Sequence, residues 1–453
     1  MLFQNLARHQ DIGANSYLIE AGSTRLVLDA GTHPKHTGRS TLPRFEELTN
    51  SEVDAVIISH PHLDHIGALP CIARENPYAA LITTEQTREY GEALLHNSVN
   101  VMKAQRSELS VPEYPLFSHR EVDATIRSIE TRELRAPFAL GDEDRVTCEF
   151  HHAGHTLGAT GVMLEYGGQR LFYTGDVHFE DQTVTRGADF PTENIDTLVI
   201  ETTRGEHPRD PGYTRQSEKE RLGEAILKTI ERGGTVLIPV FALGKTQEVL
   251  LMLHELREDG LIPTVPVHIG GLSTRMTTIA DRFSEYSGRC RPGYQFLEDF
   301  EMLEVLPRGR REPIFKRGEI YALSSGMMSE HTVSNRFARR ILSNRNHGLF
   351  FVGYADSATP GGVIQAAGQG GEVSLDGPGG PTQSIRCQVD QFDFSGHSPR
   401  DQIVDYIEAV SPKRVLLVHG DAPAKMWFET ELAKKLTTTE VIVPRPGEQI
   451  MLD

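Results

Sequence analysis

Cysteine and long apolar runs are both scarce in this chain, and each scarcity excludes something. Only four cysteines occur among 453 residues. Cys71, Cys148, Cys290 and Cys387 lie far apart with no Cys-x-x-Cys pair. That argues against a disulfide framework or a thiolate zinc site and predicts reduced, buried thiols. No apolar run approaches the roughly 18 residues of a membrane span. The opening Met1-Leu2-Phe3-Gln4-Asn5 lacks the basic-then-apolar pattern of a secretion signal. A cytoplasmic protein with no membrane partner is therefore expected. Positive charge is also short, with 46 Lys and Arg against 63 Asp and Glu and a formal net charge of −17. This argues against a general nucleic-acid coat, which relies on cations. One stretch runs the other way. From Arg308 to Arg345 nine Lys or Arg residues face only Glu312, Glu319 and Glu330, a pattern that fits a solvated face or a nucleic-acid path equally well.

The length implies two domains, and 38% hydrophobic with 24% charged residues fits a globular protein. The first ~200 residues read as strands alternating with loops and occasional helices. Tyr17–Glu20 and Arg25–Asp29 flank a Gly-Ser-Thr turn as a hairpin, and Val53–Ile58 reads as a buried strand. Thr83 to Gln86 offers a capping start for a helix to about Gln105. Strands at Arg170–Tyr173 and Thr197–Ile200 each deliver an acid at their end, Asp176 and Glu201. The texture changes from about residue 206. Ser217-Glu218-Lys219-Glu220 has the form of a capping box for a helix from Glu218 to about Arg232, followed by a strand at Thr235–Ile238 and a helix at Thr246–Leu256. With strands at Glu319–Leu323 and Gly348–Val352, this predicts a small parallel α/β unit closed by a glycine- and proline-rich loop, Gly368 to Pro381. The expected division is 1–205, 206–381 and 382–453, the last returning to the first texture with the strand Arg414–Val418.

Nineteen histidines are the most informative residues present. Four potential ligands, His60, His62, Asp64 and His65, fall within six residues directly after a buried strand. Imidazole and carboxylate suit zinc, and adjacent Asp64 and His65 point different ways, so one turn can serve two metals. Further ligands are expected at other strand ends: His155 in Gly154-His155-Thr156, Asp176 in Thr174-Gly175-Asp176, and His419 in Val418-His419-Gly420. Asp29 reads as an acid that orients a ligand from behind.

Taken in order, Asp29, His60-x-His62-x-Asp64-His65, His155 and Asp176 resemble the metallo-β-lactamase superfamily. The inserted unit resembles the β-CASP insert of RNA- and DNA-processing nucleases. The resemblance is carried by Glu201-Thr202-Thr203-Arg204-Gly205, by Ile238 to Glu248, and by Ser324-Ser325-Gly326-Met327-Met328. It extends through Phe351 to Tyr354, Ser395-Gly396-His397 and Val418-His419-Gly420. The implied fold is an αββα metallo-β-lactamase sandwich with an inserted β-CASP α/β domain. The resemblance implies two zinc ions per chain: one held by His60, His62 and His155, the other by Asp64, His65 and His419, with Asp176 bridging. It places Glu201, His397 and His419 in the insert family's three extra motifs. It also implies that His397, oriented by Glu201, contacts the scissile phosphate or acts as the proton donor, with Asp64 part of the catalytic set. A histidine at the third motif resembles the RNA-cleaving branch, where DNA-directed members tend to have valine.

The expected reaction is cleavage of RNA phosphodiester bonds, endo or 5′-exo, by a two-metal-activated hydroxide. Alternatives are a DNA nuclease, a small phosphodiester or ester hydrolase, or a non-catalytic partner subunit; many relatives dimerise, so a homodimer is a further expectation. Gly244-Lys245-Thr246 is no phosphate loop, because Pro239 stands where its first glycine belongs. A helix beginning near Lys245 could still offer backbone N–H groups and a cation to a substrate phosphate, and Ser324, Ser325 and Tyr354 are candidate substrate contacts by resemblance; packing or capping is an equal alternative for all four. The chain departs from the family at Arg204, at Ser329-Glu330-His331 and at Ser398-Pro399, none of them a ligand.

Overall fold

The computed structural model describes residues 1–49, 52–142, 144–306, 314–330, 332–377 and 379–452. The chain forms two compact units. The first comprises Met1–Asp181, Thr185–Arg209 and His397–Asp453; the second comprises Gln182–Val184 and Asp210–Gly396.

The first unit begins with six strands: β1 (Leu2–Asn5), β2 (Tyr17–Ala21), β3 (Thr24–Leu28), β4 (Ala55–Ile57), β5 (Ala80–Thr83) and β6 (Ile129–Thr131). Five more follow: β7 (Phe138–Leu140), β8 (Val146–His152), β9 (Thr160–Tyr166), β10 (Gln169–Tyr173) and β11 (Thr197–Glu201). The second unit holds β12 (Val236–Pro239), β13 (Val267–Ile269), β14 (Met302–Glu304), β15 (Ile320–Leu323), β16 (Gly348–Phe351), β17 (Glu372–Ser374), β18 (Thr382–Ser384) and β19 (Gln388–Gln391). The chain then returns to the first unit with β20 (Arg414–Val418), β21 (Glu440–Ile442) and β22 (Gln449–Met451).

Two seven-stranded sheets form the first unit, in the orders β22-β1-β2-β3-β4-β5-β6 and β21-β20-β11-β10-β9-β8-β7. Period-2 alternation explains why they stack. Tyr17, Ile19, Leu26, Leu28 and Ile57 from one sheet meet Phe150, Val162, Leu171, Tyr173, Val199 and Leu416 from the other. The opposite faces are apolar too. Leu18, Val27, Val56 and Ile58 pack with Leu95, Val99 and Val122 of the helices Glu85–Glu108 and His119–Ser128. Phe172, Leu198 and Leu417 pack with Ile403, Ile407, Phe428 and Leu432 of the helices Arg400–Val410 and Ala422–Lys435. Helix, sheet, sheet, helix is the sandwich that the resemblance implied. Cys71, Cys148 and Cys387 are buried, and none of the four cysteines joins a disulfide among the described residues.

The second unit is a six-stranded sheet, β14-β13-β15-β12-β16-β19, with every pairing parallel. Two sequence expectations shift here. The helix expected from Glu218 runs Arg215–Glu231 and is capped by Thr214, whose side chain accepts from Ser217 N. The extra turn forms because Arg215 reaches the buried carboxylate of Glu248 at 2.6 Å and stacks 5.2 Å from the Phe394 ring. The stretch Gly368–Pro381, expected as a loop, contributes β17, which pairs antiparallel with β18. Its glycines and prolines mask Val373 and Leu375, both buried in the unit's core. Of the basic stretch, Arg308, Arg310, Arg311 and Glu312 lie outside the described residues. On the helix Val333–Leu342, Arg339 pairs with Asp376 and Arg340 lies 5.3 Å over Phe315. Among the described residues no helix is long and apolar enough to cross a membrane.

Candidate metal centre

Strand ends of the first unit bring the histidines and acids together. The turn after β4 carries His60 and His62, and the single helical turn Leu63–Ile66 carries Asp64 and His65. His155 follows β8, Asp176 follows β10, Glu201 ends β11 and His419 follows β20. Their donor atoms sort into sets lying within 4.8 Å of one another: His60, His62, His155 and Asp176 form one, and Asp64, His65 and His419 another. Asp176 sits between them. Its Oδ2 is 3.4 Å from His60 Nε2 and 3.6 Å from His155 Nε2, while its Oδ1 is 3.3 Å from His65 Nε2 and 3.1 Å from His419 Nδ1. His155 Nε2 lies 3.0 Å from His62 Nδ1, and Asp64 Oδ2 lies 3.2 Å from His419 Nε2.

The residues fit metal ions. His60 Nε2 and Asp176 Oδ1 are buried without a hydrogen-bond partner, and an orphaned buried polar atom is costly unless something absent from the protein satisfies it. Burial pushes the His62 imidazole down to about 4 and His60 well below its ordinary value, so both are neutral and have a lone pair to give. Burial pushes the Asp176 carboxyl up, but His419, His65 and His60 outweigh it and hold the group well below the usual carboxylate range. Asp64 behaves likewise: burial raises it, and His65 and His419 pull it below. Burial also opposes charge on His65, but Asp176, Asp29 and Asp64 raise it well above the normal imidazole range. Imidazole and carboxylate donors are the set that zinc takes.

A second layer fixes the donors. Asp29, at φ 60°, is held by Ile57 O through its own N–H. Its carboxylate accepts from His65 Nδ1 at 2.7 Å, Ser59 Oγ at 2.8 Å and Tyr173 OH at 2.6 Å. That leaves His65 Nε2 facing the cluster. Asn15 Nδ2 lies 3.1 Å from that same nitrogen and donates to Asp64 O. His397 Nδ1 lies 3.0 and 3.1 Å from the two oxygens of Glu201, which also accepts from Val177 N. Burial pushes His397 down, but Glu201 and Asp176 carry it above its ordinary value. Its side chain is 22% exposed and that of Glu201 is 2% exposed. Ser398, at a departure from the family pattern, accepts from Phe179 N and donates its own N–H to Val177 O. It therefore ties the segment after Asp176 to His397.

The remaining candidates lie in the second unit. Lys245 opens the helix Lys245–Glu258, donates to Phe394 O, and lines a small pocket with Pro239, Phe241, Gly326 and Tyr354. Tyr354 is exposed, its hydroxyl 3.4 Å from Asp356. Ser325 Oγ accepts from Ser329 N, and the Ser324 and Ser325 carbonyls accept from Ser334. Sequence reasoning missed Asn15, Ser59, Tyr173 and Thr203. Ser59 could have been found from its place beside His60 and Thr203 from its place in the Glu201–Gly205 motif; Asn15 and Tyr173 carry no spacing signal.

Three family models match the chain in succession. Residues 10–229 match the metallo-beta-lactamase superfamily, 246–364 the Beta-Casp domain, and 382–444 the Zn-dependent metallo-hydrolase RNA specificity domain. The chain belongs to the β-CASP metallo-hydrolases of the metallo-β-lactamase superfamily. It is 27% identical over 98% of its length to cleavage and polyadenylation specificity factor subunit 3 of Dictyostelium discoideum, covering 56% of that protein. It is 29% identical over 91% of its length to transcription termination factor FttA of Methanothermobacter thermautotrophicus, covering 66% of it. It is also 28% identical over 97% to endoribonuclease ysh1 of Schizosaccharomyces pombe, covering 57% of that protein. The chain thus spans between half and two thirds of the length of these relatives. A solved protein of unknown function from Enterococcus faecalis V583 shares the fold, with a TM-score of 0.56, 12% identity and 99% of both chains covered.

Proposed function

We propose that this chain is a zinc-dependent ribonuclease that hydrolyses phosphodiester bonds of RNA. The observation that carries this reading is the position of His397 and His419. Both fall in the segment matching an RNA specificity domain, and both border the Asp176 cluster. In this reading His60, His62 and His155 hold one zinc, Asp64, His65 and His419 hold the other, and Asp176 serves both. When bound, a zinc pair supplies Lewis acidity toward phosphoryl oxygens and brings the pKa of a water down to about 7.

The chain's own residues do the rest. His397, whose Nδ1 lies 3.0 Å from Glu201, is the group that would protonate the leaving oxygen. The carboxylate partner favours the protonated ring, the form a general acid needs at neutral pH. Asp29 and Asn15 hold His65 and the Asp64 turn in place. The complete donor set speaks against a non-catalytic subunit.

The test is cleavage of end-labelled single-stranded RNA by the purified chain, with matched DNA and a generic phosphodiester beside it. RNA cleavage that is abolished by a chelator and by His62→Ala is expected. Activity surviving either change would sink the mechanism, and a preference for DNA would overturn the substrate.

A further inference from the structure

His419 faces two possible metal groups. Its Nε2 lies 3.2 Å from Asp64 Oδ2. Its Nδ1 lies on the side of Asp176, which together with Glu201, His397 and His419 forms another set of donors within 4.8 Å. Metal on that second set would take a ligand atom from Glu201 and one from His397, and so compete with their contact. The ring nitrogen that ligates is therefore a choice between a working centre and a blocked one.

Thr203 makes that choice. It lies two residues beyond Glu201, in a segment laced to the His419 turn. β11 and β20 run parallel with Glu201 opposite Val418, Thr202 N donates to His419 O, and Thr202 Oγ1 donates to Val418 O. The Thr203 hydroxyl lies 3.0 Å from His419 Nδ1 and also donates to the His419 carbonyl oxygen at 3.3 Å. A hydroxyl that gives its proton to the carbonyl leaves its oxygen to accept, and so favours the tautomer with the imidazole hydrogen on Nδ1. Asp176 Oδ1 lies 3.1 Å from Nδ1 without hydrogen-bond geometry. His419 itself is held at φ 45°, a left-handed conformation that an L-residue keeps only when its surroundings impose it.

We propose that Thr203 is a positioning residue that fixes the His419 tautomer. It commits Nε2 to the zinc held with Asp64 and His65, and it keeps metal away from the Glu201–His397 pair. A partner on the far nitrogen of a ligating imidazole sets its tautomer and orientation, and removing such a partner typically costs about 10–100-fold in metal affinity. The inference rests on the metal assignment proposed above, but its test needs no RNA.

The experiment is stepwise zinc competition with a chromophoric chelator on the full chain, comparing wild type, Thr203→Val and Thr203→Ser, with the melting temperature of each metal-free protein as a control. In Thr203→Val the weaker of the two zinc affinities is expected to fall about 10–100-fold, with the tighter one and the metal-free melting temperature unchanged. Thr203→Ser, which restores the hydroxyl, is expected to stay within about threefold of wild type by the same hydrogen-bond argument. Unchanged zinc affinity in Thr203→Val would overturn the proposal. So would a Thr203→Ser protein as weak as Thr203→Val, since the hydroxyl would then be irrelevant. A wild-type chain that takes up two zincs yet leaves RNA intact would instead reject the ribonuclease reading and leave the role of Thr203 standing.

Discussion

Gly31 has no room for a methyl group: a Cβ there would stand 1.7 Å from the backbone oxygen of Asp64. That oxygen also accepts from Asn15 N and Asn15 Nδ2. Gly31→Ala should therefore push the Asp64 turn outward, costing roughly 1–3 kcal/mol as overpacking does and weakening zinc retention; elemental analysis after gel filtration checks it. Lys425 offers a pH signature outside the metal centre. It is 7% exposed, donates to Gln10 O at 2.6 Å, and burial pushes its ammonium down to about 8, with Asp421 and Asp11 opposing. Its folded-state pKa lies below the unfolded value, so between about pH 8 and 10.5 the unfolded chain binds more proton and stability rises with pH. Relative to Lys425→Met, wild type should gain about 2–3 kcal/mol across that window, read by urea melts at pH 7 and pH 10. The primary donors were legible in the sequence because metal chemistry imposes residue types at fixed places after strands. The supporting layer was not: a lone Asn15 or Tyr173 gains meaning only from partners far away in the chain, such as Asp29 for Tyr173.

At the scale of elements, the helix Arg215–Glu231 separates local from tertiary control. Its apolar spacing was readable, but its start was not, because Thr214 and Ser217 are both good caps. The contact of Arg215 with Glu248, distant in sequence, decides between them. Thr214→Ala should cost about 1 kcal/mol in a denaturant titration, the usual loss for such a cap; a helix starting at Glu218 would leave that substitution neutral. The sandwich strands β2, β3, β4, β10, β11 and β20 were more legible, because mostly apolar runs such as Val53–Ile58 suit sheets covered on both faces. β17 was not legible, because only two of its neighbourhood's side chains reach a core and the rest look like a loop.

For the whole molecule, the two units have separate apolar cores. One holds Phe150, Leu171 and Leu416; the other holds Leu237, Leu349 and Ile364. Metal stabilises only the unit that binds it, by about 2.7 kcal/mol at a hundredfold excess over Kd. Calorimetry with and without chelator should show one transition falling and another staying in place; one transition that moves as a whole would show that the two cores melt together. The same order of the chain along its length has a consequence during synthesis. Glu201 and His397 are 196 residues apart, and Asp64 and His419 are 355 apart. At roughly 5–20 residues per second, a ribosome needs on the order of 10–40 s to pass from Glu201 to His397. Throughout that interval the emerging polypeptide, tethered to the message being translated, has neither His397 nor His419. On the ribonuclease reading proposed above, the chain is thereby unarmed while it is closest to its own template.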